Sequence, residues 1–136
     1  MSTRSRIGIK NNDDTFTSVY VHFDGYLSHH GPILLTYYTT EEKVRELLAP
    51  GDMSQLGERV EPIGPHDFDR PERGTCVYYG RDRGENDVDA LTSPDKESIM
   101  AEEWGYCFDP ETGTWEYNDH GDGWLPLTDK AIANDE

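Results

Sequence analysis

Polar and apolar residues alternate through RSRIGI (residues 4–9) and again through TFTSVYVHF (15–23), with NNDD (11–14) between them. A period of two is the strand period. The second run is rich in β-branched and aromatic side chains, and asparagine and aspartate accept the left-handed backbone of a tight connection. The pattern predicts an N-terminal hairpin. Thr17, Val19, Val21 and Phe23 would face a core, while Phe16, Ser18, Tyr20, His22 and Asp24 face the other way.

The period then changes. GPILLTYY (31–38) fits a short helix with Pro32 in its first turn, which leaves His29 and His30 in the preceding connection. TTEEKVRELLAPG reads as a second helix: Thr39 and Glu42 have capping-box spacing, Val44, Leu47 and Leu48 form a stripe, and Pro50–Gly51 stops it. GDMSQLGE (51–58) reads as one further helical turn, and residues 61–74, with three prolines, as a loop. TCVYYG (75–80) is a third strand followed by the charged turn RDRGE, and Ser93–Pro94 opens another helix through Met100. WGYCFDPETGTWEYN (104–118) is a second hairpin turning at DPETG, and TDKAIA (128–133) a closing helical piece within a frayed C-terminus, 128–136. The sum is an α+β fold, a single domain over residues 1–136. It has an antiparallel sheet of four or five strands, with two or three short helices on one side.

Charge alters this picture most. The 136 residues carry a net charge of −16, and residues 81–136 hold 16 acidic against only 4 basic side chains. Such a surface repels nucleic acid and anionic membrane and suits a basic protein partner, by simple complementarity or by imitating DNA; acidity that merely keeps the chain soluble is the bland alternative. Glu85, Asp87, Asp89, Asp95, Glu97, Glu102 and Glu103 are the acidic candidates for partner binding. Trp104, Trp115 and Trp124 lie close by in sequence, two of them expected as core anchors. Cys76 and Cys107 fall in strand-like runs without zinc-type spacing and read as reduced core residues, and with no apolar leader or long apolar span a soluble protein is expected. No cofactor is implied.

Three constellations could carry chemistry. His22 and Asp24, two apart on a strand, with His29, His30 and His66, offer imidazole and carboxylate ligands for a metal-dependent hydrolase. Their spacing matches no metal motif, however, and adjacent residues such as Ser28–His29 do not form a nucleophile–base pair. No metal ligand or catalytic residue is assigned. Arg4 and Arg6 share a strand face that, with Tyr20, His22 and Asp24 and with Arg81 and Arg83 after strand three, would make a cationic, aromatic-lined patch for a nucleotide or other small anion.

Four segments in order, STRSRIGI, SVYVHFDGY, LLTYYTTEEKVRELLAPGDMSQLGE and YYGRDRGE, resemble a family of small proteins encoded by tailed phages and prophages. The likeness covers residues 2 to about 85 and brings no catalytic residue. It implies a viral accessory protein in the host bacterial cytoplasm, of a kind that binds and disables a host factor. With the acidic C-terminal half and no catalytic constellation, the expectation is a non-enzymatic protein that inhibits or redirects a host protein in an anti-defence role. A sponge for a signalling nucleotide and a metal-dependent hydrolase are the alternatives.

Overall fold

The structure is a computed structural model and describes residues 3–100 and 102–134. The N-terminal hairpin forms as its alternation requires. β1 (Ser5–Lys10) and β2 (Phe16–Val21) pair antiparallel, with Ile7 opposite Val19 and Arg6 opposite Tyr20. In the turn, Asn11 Nδ2 donates to the hydroxyls of Thr15 and Thr17, at 3.0 and 2.9 Å, and Asp14 takes φ 65°. β2 stops at Val21, so Phe23 leaves the expected core face and is 39% exposed.

The C-terminal hairpin, β6 (Trp104–Asp109) and β7 (Thr114–Asp119), also forms where expected. It lies beside the first one. β1 and β6 run parallel, Ile7 opposite Tyr106, so the sheet is mixed rather than antiparallel. β3 (Met53–Gln55), β4 (Val77–Tyr78), β5 (Leu91–Ser93) and β8 (Trp124–Pro126) extend it to eight strands, not four or five. Their order is β4-β3-β2-β1-β6-β7-β8, with β5 against the first half of β2. β4 falls within the expected strand 75–80, but the three-residue strands are too short for alternation to reveal them, which is why 51–58 reads as helix and 91–93 is not recognised.

The helices differ in detail from the pattern. α1 spans Leu27–Tyr37, so His29 and His30 are helical and Pro32 sits mid-helix. The proline removes one backbone bond, and burial of Leu27, His30, Gly31 and Leu34 on one side offsets that loss. α2 (Glu41–Leu48) is capped by Thr40, whose hydroxyl accepts the Lys43 N–H at 3.2 Å; the cap falls one residue after Thr39. RDRGE is part of a short helix, α3 (Tyr79–Arg83), closed by Gly84 at φ 75°. Ser93–Pro94 leads into a 3-10 helix, Lys96–Met100. α4 (Asp129–Asn134) docks on α1: a Cβ on Gly31 would stand 2.8 Å from Ile132 Cγ1. Residues 135 and 136, the end of the expected frayed segment, lie outside the described residues.

Both faces of the sheet are covered. On one, Ile7, Ile9, Val19, Val21, Tyr106, Phe108 and Trp115 pack with Leu27, Leu34, Val44, Leu47 and Leu48 of α1 and α2. Trp104 and Trp115 are core anchors here, and both cysteines are buried and unpaired. On the other face the 3-10 helix inserts Ile99 over two glycines. A Cβ on Gly8 would lie 2.7 Å from Ile99 Cδ1, and one on Gly105 would lie 2.6 Å from Met100 Sδ. Helical segments therefore flank the sheet on both sides, not one. No described helix is long and apolar enough to cross a membrane.

Ile99 is fully buried against the central strands. Ile99→Ala is expected to lower unfolding stability by about 2–5 kcal/mol, read as a reduced midpoint in urea with the slope unchanged.

Candidate binding surface

The arginine patch expected from the sequence is only partly assembled. Arg6 and Tyr20 face each other across β1–β2. Arg6, however, is buried: its Nε donates to Ser18 Oγ and its Nη2 to Ser18 O, both at 3.0 Å. Burial lowers its pKa, and the charges of Asp52 and Glu102 oppose that shift. Asp52 accepts the Tyr20 N–H at 2.9 Å. Burial raises its pKa, against the Tyr20 N–H and Arg6. Asp52 thus plugs the gap in the β2 edge between β5 and β3. Sequence reasoning missed this because 51–58 read as helix.

Arg4, half-exposed, lies 3.6 Å from both Glu102 and Glu103. Tyr20 shares a 2.6 Å hydrogen bond with His22 Nδ1, and burial, then Glu102, raises the tyrosine pKa. Arg81 turns inward. Its guanidinium donates to Val60 O (2.6 Å), Cys76 O (3.0 Å) and Asp82 (2.9 Å), and lies 4.7 Å from the Tyr78 ring centroid. Arg83 pairs with Glu85 and covers the rings of Phe68 and Tyr79. Each arginine proposed for an anion is therefore engaged by the protein's own acceptors or carboxylates, and the structure offers no free guanidinium fork at this face among the described residues.

The same holds for the loop that carries His66. Glu72 accepts the N–H groups of Ile63 and Gly64 at 2.9 and 2.8 Å and the Thr75 hydroxyl at 2.7 Å. The Thr75 and Ile63 bonds lead in driving its pKa down to about 2. His66 Nδ1 accepts the Glu72 N–H, and its Nε2 lies 3.2 Å from Asp82. His66 holds this loop together.

His22, Asp24, His29 and His30 are not gathered into one cluster of metal ligands. His22 is bonded to Tyr20, and Asp24 sits in the turn at φ 60°. Among the described residues no three His, Cys, Asp or Glu side chains come together as a metal would need. A serine–histidine pair does exist, but it joins Ser5 to His30 (Oγ–Nε2 3.0 Å), not Ser28 to His29. Both members are fully buried, His29 Nδ1 lies 3.1 Å from His30 Nδ1, and Tyr106 lies against the His30 ring. With no access for a substrate, the pair is a polar tie between β1 and α1.

The acidic candidates divide into two groups. Glu85, Glu102 and Glu103 have arginine partners. Asp87, Asp89, Asp95 and Glu97 are exposed and pair with no cation among the described residues. They flank β5, where Leu91 is 62% exposed. Searches of protein-family models, curated proteins and solved structures find no match to this chain. What fold and surface define is an α+β domain in which seven of the twelve lysines and arginines pair with its own carboxylates, beside an acidic edge without ion pairs among the described residues.

Burial, then the neighbouring His29, holds the His30 pKa well below its ordinary 6.5. The unfolded chain takes up this proton near pH 6.5 and the folded chain does not, so stability is complete above that pH and falls as pH drops below it. The His30 contribution to the slope approaches about 1.4 kcal/mol per pH unit. Urea unfolding of wild type and His30→Gln between about pH 7 and 5 is expected to give the flatter profile in the variant.

Proposed function

We propose that this is a non-enzymatic phage accessory protein that binds and inhibits or redirects a host protein through its acidic surface. An anti-CRISPR or anti-restriction role in the bacterial cytoplasm fits this reading. The partner presents a basic surface of the kind that handles nucleic acid, and the protein itself contacts neither nucleic acid nor membrane. The resemblance of residues 2–85 to tailed-phage proteins supports the setting.

One observation carries the choice of partner. Arg4, Lys10, Arg45, Arg59, Arg81, Arg83 and Lys96 all lie within ion-pair distance of the protein's own carboxylates, and Arg6 is buried on Ser18. The outward charge is then dominated by acids without partners, above all Asp87, Asp89, Asp95 and Glu97. A basic surface is attracted over about a Debye length, roughly 10 Å at 0.1 M salt, and like-charged partners are rejected. The same engagement of the arginines removes support from the nucleotide alternative.

Affinity capture from bacterial lysate tests this directly. Wild-type protein is expected to retain a basic protein at about 0.05 M salt and release it at about 0.5 M. A variant combining Asp87→Asn, Asp89→Asn, Asp95→Asn and Glu97→Gln is expected to retain at least about tenfold less. Retention indifferent to both salt and substitution would sink the electrostatic reading.

A further inference from the structure

We propose that the outer edge of β5 seats an extended, basic segment of the partner, which joins the sheet as an added strand. This rests on the acidic-partner reading above and specifies its geometry. An edge strand carries backbone N–H and C=O groups that point away from its one neighbour, and an incoming chain can pair with them.

The sheet's other edges are closed or blunted. At β4, α3 supplies the partners: Asp82 Oδ2 accepts the Tyr78 N–H at 2.8 Å, and Arg81 Nη2 donates to Cys76 O at 3.0 Å. At β8, Pro126 has no N–H to offer, and proline blunts an edge. β5 pairs only with β2, Leu91 opposite Ser18 and Ser93 opposite Phe16. Among the described residues no other backbone group bonds Leu91–Ser93.

Charge selects the occupant. Asp87 and Asp89 precede the strand, Asp95 and Glu97 follow it, and none pairs with a cation among the described residues. A second copy of this chain would bring the same four carboxylates to the same edge, so self-pairing is opposed. A segment with lysine or arginine at both ends would meet acid at both ends. At about 3.3 Å per residue, a strand of about seven residues covers the stretch from Asp89 to Asp95. The exposed Leu91 side chain offers an apolar contact between them.

The probe is a nine-residue peptide alternating lysine with valine or threonine, added to the full chain. Two analogues are N-methylated on alternate residues, one in each register, which keeps the charge and removes one set of backbone donors. Amide NMR is expected to place the largest shifts at Leu91–Ser93, with N-methylation in one register weakening binding at least tenfold. The proposal is overturned if the peptide does not bind, if the shifts lie elsewhere, or if both methylated peptides bind as tightly as the parent. Loss of binding in the four-residue amide variant without any N-methylation effect would leave the acidic-surface function standing and remove the strand addition alone.

Discussion

The parallel pairing of β1 with β6 is the interaction on which the rest of the molecule depends. Each hairpin alone is a two-stranded ribbon of marginal stability in water. Side by side they form the centre of a sheet broad enough for α1 and α2 to cover one face. The other face closes only because Gly8 and Gly105 carry no Cβ, which lets Ile99 approach the backbone. β1 consequently has a strand on each edge and side chains over each face. Arg6 is buried there by geometry, and its bonds to Ser18 follow from the need to satisfy it.

Burying a guanidinium at the centre shapes the electrostatics outward. The charges of Asp52 and Glu102 favour the charged form of Arg6, and Glu102 and Glu103 in turn hold Arg4. Around α3 the positive charges of Arg81 and Arg83 tie down a long loop and two aromatic rings. Cations scarce in the sequence become structural ties, and the negative excess is left facing solvent along residues 87–97.

Much of this fold was legible in the sequence where elements are long. The N-terminal hairpin declared itself through alternation over six residues or more, the C-terminal one through its DPETG turn, and α2 through its apolar stripe and proline stop. What failed was local and short. β3 and β5 offer three residues each, below the length at which a period of two can be told from a helical turn. Pro32 pointed to a helix start because proline prefers the first turn, but the packing of Leu27 and His30 carries α1 a turn further back. For the binding surface, the acidic segment was visible from composition. That the arginines would be turned to internal use was not, because ion pairs such as Arg4 with Glu102 join residues nearly a hundred positions apart.

The central position of β1 has a kinetic side. Its parallel neighbour begins at Trp104, so the earliest of the described strands is among the last to be completed. At roughly 5–20 residues per second of synthesis, the β1–β2 ribbon waits about 5–20 s with one edge and the Gly8 face open. Pairings between such distant positions raise contact order and slow folding. The nascent chain thus passes through an interval in which a strand that ends almost wholly buried is its least protected, and the dense negative charge that follows can keep one unfinished chain from pairing with another.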